Sequence, residues 1–421
     1  MRFRLRLICV GTLVSMIVCL PIEPIFGQST VFMDFSNFQT RLNTATTSAG
    51  VGNFSAAETT TIRNNIVSTM QTVYSGYSIS FTTSNPGGVF STLDFNQTAG
   101  AGLLGSADAI DFRNFVKNDV ARVYTSNFDF FIEAGDPRAT QIAEISMSLA
   151  GTAAHELGHN LGLEHRDAFG LIGMPPSNAT GGGLSGGIQN SSIMATGGTG
   201  LTETQRETLR FLSDLSHVKL EFADAIVPTT LPVTNEQAGA HGTAATAQAL
   251  TFSPLSIAAS NYDLAAVVRG TISASLQSYY YRFDMQAGQL MTMQVISDAI
   301  FANSIDSVLQ MFDTNGTTML VDNDDTSYDA AGINPGASLY STDSSIYNFQ
   351  AATTGTYFLR LATFGGINTG SYEAIFATNL VNAIPEPGGL AVLCLLGLVG
   401  YGYARPRKAM RKAAVLAQPV V

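Results

Sequence analysis

The sequence predicts an α+β unit followed by an all-β sandwich domain. In the first half, apolar residues recur at helical spacing and alternate with strand-like runs. In the second half, short alternating runs are separated by turn residues, which is typical of a β-sandwich. Residues 226–234 form a Pro/Thr-rich stretch that favours an extended linker. Because 421 residues exceed the usual size of one core, we expect one unit at 28–225 and another at 235–380.

Three helices are expected in the first unit. Ser55 and Glu58 form a capping-box signature, and apolar residues recur at helical spacing behind them. A second apolar stripe runs over 142–161, where Gly162 supplies the stop. A third helix is predicted over 202–215. Together with the strand-like runs described next, these helices define the α+β class.

Strand-like runs occur in both units. In the first unit they lie at 31–35 and 77–81, where apolar residues alternate with polar ones. In the second unit they lie at 279–283, 291–295 and 357–361. Such short runs, bounded by turn residues, predict the strands of the sandwich.

The body of the chain is strongly acidic. From residue 28 to residue 384 it holds 13 Lys and Arg against 30 Asp and Glu, a net charge of −17. This charge excludes nucleic acid and anionic membranes as partners held by general electrostatics. The cysteines, Cys9, Cys19 and Cys394, all lie in apolar terminal segments, so we expect a body without disulfides.

Both terminal segments are typical of export signals. Residues 1–27 combine three arginines, an apolar run and a small residue at Gly27, which is the pattern of a signal peptide. Residues 384–412 hold Pro385-Glu386-Pro387, an apolar stretch and a basic cluster. This order resembles the PEP-CTERM sorting signal of bacteria with an outer membrane. The resemblance implies export and C-terminal sorting machinery as partners, with transient or marginal anchoring in the inner membrane.

The motif that carries chemistry lies at 155–165 and has the sequence HELGHNLGLEH. On a helix, His155 and His159 project from one face and can hold one metal ion. Gly162 lets the chain turn sharply, so His165 can return as the third nitrogen ligand. Glu156 lies beside the first ligand and is the candidate general base. Three protein ligands leave one position open, so the motif predicts a catalytic Zn²⁺ site.

The motif resembles the elongated zinc motif of the metzincin clan of zinc endopeptidases at each defining position. Residues 192–196, with the sequence SIMAT, are similar to the clan's Met-turn, a tight loop beneath the zinc ligands. The resemblance implies a metzincin-like catalytic domain with a twisted mixed sheet, in which Met194 forms the hydrophobic floor of the site. Thr196 replaces a tyrosine ligand of some members, and Arg166 departs from several families, so we assign no family within the clan.

The segment 235–380 resembles bacterial pre-peptidase C-terminal domains, which are β-sandwiches found behind secreted peptidases. The matching stretches include VRGTI at 268–272, YRFD at 281–284, GTYFLR at 355–360 and GSY at 370–372. The resemblance implies an accessory unit that holds polymeric substrate or is cleaved off.

An oxygen-rich group in the second unit offers a further ion site. Its members are Asp313, Asn315, Asp322, Asp324 and Asp325. Carboxylate and amide oxygens bind Ca²⁺ when a hairpin brings them together. The alternative interpretation is that they are solvated turn residues. The sequence does not separate these two interpretations.

The sequence thus predicts a secreted or surface-exported zinc metalloendopeptidase of the outer envelope that acts on extracellular proteins or peptides. One alternative is a surface- or matrix-associated binding protein whose zinc domain is structural or inactive. A second alternative is a protease that mainly processes its own linker. The oligomeric state is not predicted by any of these features.

Overall fold

The computed structural model describes residues 29–100, 102–169, 189–197, 200–237, 239, 241–257, 260–324 and 342–381. The described residues up to Asn379 belong to one compact unit, and Leu380 and Val381 lie outside it. The segments predicted as signal peptide and sorting signal, 1–27 and 384–412, lie outside the described residues. Within the described part of the chain, no helix combines the length and the apolar character that a membrane span requires.

The first half of the chain folds around a five-stranded sheet. Its strands are β1 Ser29–Asp34, β2 Ile79–Thr82, β3 Ser91–Asp94, β4 Gly105–Ala107 and β5 Val120–Val123. Their order is β2-β1-β3-β5-β4. Strand β4 runs antiparallel to β5, whereas the other neighbours are parallel. The sheet is therefore mixed, and the strands expected near 31–35 and 77–81 are present as β1 and β2.

The first half contains the helices α1 Phe38–Ser48, α2 Ala56–Val73, α3 Arg138–Asn160, α4 Glu203–Arg206 and α5 Asp214–Leu220. Of these, α2 packs against β2, and α3 packs against β4 and β5. The capping box before α2 is confirmed, since Glu58 N donates to Ser55 Oγ at 3.2 Å and Ser55 N donates to Glu58 Oε2 at 2.7 Å. The predicted second helix is present as α3. Helix α1 was not expected, because its Thr- and Asn-rich sequence has weak helix propensity.

The prediction of a single third helix over 202–215 is wrong. The chain forms the short α4, leaves the helix, and forms α5 only from Asp214. Between them, Phe211 pairs with a loop: its N donates to Ser191 O, and its O accepts from Ile193 N, both at 2.8 Å. This backbone pairing outweighs the helical spacing of the leucines in the segment.

The second half is a β-sandwich. Its strands are β6 Val233–Asn235, β7 Gln248–Ala249, β8 Ser253–Pro254, β9 Leu264–Ile272, β10 Ser278–Met285, β11 Leu290–Ile296, β12 Ser307–Phe312, β13 Met319–Asn323, β14 Ser345–Gln350, β15 Gly355–Thr363 and β16 Gly370–Thr378. One sheet has the order β13-β12-β15-β10-β7, and the other has the order β14-β11-β16-β9-β6, with β8 joined to β9. Side chains of both sheets form one hydrophobic core between them. The strands predicted from alternation are present within β10, β11 and β15.

The two halves also share a hydrophobic cluster, which we call the shared core. The first half contributes Phe112, Phe169, Leu215, Val218 and Phe222, and the sandwich contributes Tyr262, Ala265, Val267, Ile296, Tyr347, Ile375 and Ala377. Residues 226–234, expected as an extended linker, begin with the buried Ile226 and Val227. They end in β6, which pairs with β9. Both ends of this stretch are therefore packed into the fold.

Candidate metal centre

The end of α3 positions the histidine motif. Leu163 N donates to Gly158 O, and Gly162 N donates to His159 O, both at 2.8 Å. These two bonds form a Schellman cap, which needs a left-handed residue at its turn. Gly162 supplies it with a φ of +90°, and a Cβ there would lie 2.4 Å from Phe112 Cα. The predicted helix stop is confirmed, and the turn brings His165 back towards the helix.

Three imidazoles converge at this turn. Nε2 of His155 lies 3.1 Å from Nε2 of His165, and Nε2 of His159 lies 3.2 Å from each of the other two. A tetrahedral zinc ion with bonds of about 2.1 Å to nitrogen would hold its ligands about 3.4 Å apart. Within the described residues, these histidines are the one group of three or more His, Cys, Asp or Glu placed to hold a metal ion.

Two backbone carbonyls determine which ring nitrogens carry hydrogen. His155 Nδ1 lies 2.7 Å from Ile193 O, and His159 Nδ1 lies 2.8 Å from Leu163 O. A carbonyl only accepts, so each Nδ1 donates and each neutral ring keeps a lone pair on Nε2. Desolvation keeps the rings neutral, since it lowers the pKa of His155 well below its ordinary value and that of His159 to about 4. Lone pairs this close repel each other unless a cation lies between them, so the donor set fits a metal ion.

Met194 packs on α3 between the first two histidines. The side chain is fully buried, and a Cβ on Gly158 would lie 2.9 Å from Met194 Sδ. The loop is tight, because Ala195 N donates to Ser192 O and Met194 N donates to Ser192 Oγ, both at 3.2 Å. The role of Met194 as the floor of the site stays a prediction.

Glu156 faces a cavity of about 290 Å³ that His155 and His165 also line. Its side chain is 6% exposed and lies against β4, where a Cβ on Gly105 would be 2.4 Å from Glu156 Oε1. Burial raises the pKa of Glu156 to about 8, although the positive charge of Arg206 acts to lower it. No described residue offers a hydrogen-bond partner to Oε2. This oxygen is therefore available to a ligand in the cavity.

Two arginines that the sequence analysis did not single out, Arg206 and Arg210, line the same cavity. Arg210 is only 3% exposed. Its Nη1 donates to the carbonyl oxygens of Ser192, Ile193 and Ala195 at 3.4, 3.1 and 3.3 Å. Arg210 therefore supports the loop of Met194 and the carbonyl that orients His155. Burial and the nearby Arg206 lower the pKa of Arg210 to about 9.

The neighbours of His165 belong to a buried ionic network. Arg166 Nη2 lies 2.9 Å from Glu164 Oε2, and Lys219 Nζ lies 2.5 Å from the same oxygen. Lys219 Nζ also lies 2.7 Å from Asp167 Oδ1, and all four side chains are inaccessible to solvent. Burial alone would raise the pKa of Glu164, but Arg166 and Lys219 outweigh it and hold the pKa below its ordinary value.

Arg166 extends this network into the sandwich. It donates to Val295 O at 2.5 Å, to Asp343 O at 3.2 Å and to Ser345 Oγ at 3.2 Å. Tyr347 Oη donates in turn to Arg166 O at 3.3 Å. The residue that follows the third histidine is therefore anchored in strands β11 and β14 and in the segment before β14.

The proposed calcium group lies at the β12–β13 hairpin. Asp313 Oδ1 accepts from Asn315 N at 3.0 Å, and Asn315 Oδ1 accepts from Thr317 N at 2.7 Å, so both side chains stabilise the turn. Asp322 and Asp324 do not join Asp313 in a metal-holding group of described residues. Asp325 lies outside the described residues, and calcium binding here stays a prediction.

No protein-family model matches this chain, and no curated protein does. Part of the chain is similar to the periplasmic g-type lysozyme inhibitor PliG of Aeromonas hydrophila, at 11% identity and a TM-score of 0.19, covering 31% of this chain and 96% of that one. A second similar structure is the pre-peptidase C-terminal domain of a Bacillus anthracis collagenase, at 11% identity and a TM-score of 0.18, covering 26% and 86%. Salmonella Typhimurium PliG follows at 15% identity and a TM-score of 0.18, covering 27% and 91%.

Proposed function

We propose that the protein is a zinc-dependent endopeptidase. The observation that carries this proposal is the convergence of three Nε2 atoms, on rings of which two donate through Nδ1 to backbone carbonyls. His155, His159 and His165 would hold the ion. When bound, zinc supplies Lewis-acid chemistry, which polarises a carbonyl and makes water a nucleophile near neutral pH.

Glu156 moves the proton in this proposal. In its ionised form, which the positive charge of a bound zinc ion would favour against the effect of burial, its carboxylate accepts a proton from the attacking water as the new C–O bond forms. It then delivers that proton to the amine nitrogen as the C–N bond of the peptide breaks. The contact with Gly105 holds the carboxyl group in place, and the open Oε2 gives it an acceptor that faces the cavity.

The proposed substrates are proteins or peptides outside the cytoplasm. This part of the proposal depends on the terminal segments acting as export and sorting signals, as their sequences predict. The acidic body agrees with substrates other than nucleic acid. Within the proposal, Met194 supports the helix turn between two of the zinc ligands.

Replacing Glu156 tests the proposal. We expect the wild-type protein to carry one zinc ion per chain and to cleave casein. Glu156→Ala should keep the zinc and lose cleavage by roughly 10²–10⁴-fold, because only the proton transfer is removed. Glu144→Ala is the matched control, since it truncates a partly exposed glutamate on the same helix outside the cavity.

Three outcomes would contradict the proposal. Equal cleavage by Glu156→Ala and wild type would reject the general base. Absence of zinc from the wild-type protein would reject the metal centre. Zinc binding without cleavage of any protein or peptide would favour the binding protein with an inactive zinc domain.

A further inference from the structure

The cavity beside the triad contains positive charge that no described carboxylate pairs with. Arg206 and Arg210 both line it, and among the described residues neither forms an ion pair. The stretches 170–188 and 198–199, which lie between described lining residues in the sequence, contain no Asp or Glu. Buried charges are normally paired, and the acidic body of this chain makes two unpaired arginines in one cavity unusual.

The two arginines differ in what holds them. Arg210 Nη1 donates to three backbone carbonyls of the Met194 loop. Its Nε has no hydrogen-bond partner among the described residues. Arg206 is only partly buried, and its side chain makes no hydrogen bond to a described residue. Its Nη2 reaches the cavity wall near Gly197. Arg206 is therefore the guanidinium that is free to bind a ligand.

Glu156, the one acidic side chain among the described residues that line this cavity, does not neutralise Arg206. Glu156 attracts Arg206 electrostatically, yet the two lie beyond ion-pair distance. In the proposed function, Glu156 is engaged with the reacting groups, and a bound metal ion would add further positive charge. A negatively charged ligand would therefore be more favourable in this cavity than a neutral one.

We propose that the cavity binds a carboxylate of the substrate and that Arg206 determines this specificity. The inference rests on the proposed function, because it places the carboxylate next to the bond that is cleaved. A guanidinium presents two parallel donors that match a carboxylate, so it discriminates against the neutral amide. The cavity of about 290 Å³ accommodates a single side chain or chain end. The carboxylate comes either from an Asp or Glu side chain or from the C-terminus of a peptide.

Matched peptides test this specificity. In the first set every peptide ends in an amide, and Glu or Gln is placed first on one side of the cleaved bond and then on the other. In the second set the peptides carry Gln at these positions and end in a free carboxylate. We expect wild type to cleave the better Glu peptide roughly ten- to hundredfold faster in kcat/KM than its Gln counterpart. A preference that follows the free chain end instead would assign the carboxylate to the C-terminus.

Variants of Arg206 show whether it is the partner. Arg206→Gln should lower kcat/KM far more on the carboxylate peptide than on the Gln peptide and so remove the preference, whereas Arg206→Lys should retain part of the preference. Arg282→Gln, an exposed arginine on β10 of the sandwich, is the matched control and should change neither rate. Equal cleavage of the charged and neutral peptides by wild type would overturn the inference, as would equal losses on both peptides in Arg206→Gln.

A binding measurement separates this inference from the proposed function. Zinc-loaded Glu156→Ala should bind the carboxylate peptide roughly tenfold more tightly than the neutral one in fluorescence anisotropy, and Arg206→Gln in this background should abolish the difference. If no peptide is cleaved by wild type but the binding difference persists, the endopeptidase proposal fails and the carboxylate site stands. If peptides are cleaved without any binding difference, the carboxylate site fails alone.

Discussion

Two groups of charged side chains adjoin the histidine triad, and they are built in opposite ways. The paired cluster, Glu164, Arg166, Asp167, Lys219 and Asp343, sets cations against carboxylates and excludes solvent completely. The arginine pair, Arg206 and Arg210, lines a cavity and has no ion-pair partner among the described residues. In the first group each cation lies against a carboxylate, whereas in the second no described carboxylate lies within ion-pair distance of either arginine.

This difference indicates that the paired cluster stabilises the fold and that the arginine pair serves ligand recognition. Burying an unpaired charge costs several kcal/mol, so the paired cluster tolerates the loss of a member poorly. The arginine pair divides the roles further, because Arg210 is held by three carbonyls and Arg206 by none of the described residues. The free energy of unfolding should therefore respond very differently to substitution at these positions.

The largest effect is expected at the paired cluster. Arg166→Met should lower the free energy of unfolding by about 3–5 kcal/mol, because it leaves buried Glu164 without one of its cations. Urea denaturation of the zinc-loaded protein measures this loss. Arg122→Met is the matched control, since Arg122 pairs with Asp108 at 2.6 Å in a partly exposed position and should cost about 1 kcal/mol or less. Similar losses in the two variants would show that the paired cluster has no special structural role.

An intermediate effect is expected at the anchored member of the arginine pair. Arg210→Met removes the donor to three carbonyls and should lower the free energy of unfolding by about 1–3 kcal/mol. The Ile193 carbonyl also orients His155, so zinc affinity should fall roughly tenfold in competition with a chelator. Unchanged zinc affinity would disprove the coupling between Arg210 and the triad.

The smallest effect on stability is expected at Arg206. Arg206→Gln should change the free energy of unfolding by no more than about 0.5 kcal/mol, because no described residue depends on this side chain for a hydrogen bond. The same urea titration checks it. A loss above about 2 kcal/mol would assign Arg206 to the structure of the loop and would remove the contrast between the two members of the pair.

Local signals in the sequence were sufficient to predict the elements that position the three histidines. The capping box of α2, the apolar stripe of α3 and the stop at Gly162 depend on residues within one or two helical turns. Convergence of His165 with the other two histidines follows from that stop. The third predicted helix failed because the pairing of Phe211 with Ser191 and Ile193 is a tertiary contact that leucine spacing does not reveal.

The charged groups around the triad were harder to anticipate for the same reason. Glu164 and Arg166 are part of the motif region, but Lys219 and Asp343 join them only after folding. One feature of the sequence could have indicated Arg206 and Arg210: they are two basic residues four positions apart in an acidic chain. Their convergence on the cavity nevertheless depends on the break between α4 and α5, in a segment whose leucine spacing predicts a continuous helix.

The shared core has a consequence for self-processing. A cut between residues 226 and 241 would sever the backbone but would leave the aromatic side chains of both halves packed together and Arg166 bonded to the sandwich. The nicked protein would therefore persist as a non-covalent heterodimer whose two fragments elute together from a sizing column and separate only in denaturant. Autolysis at this point would cleave the backbone without releasing either half from the other.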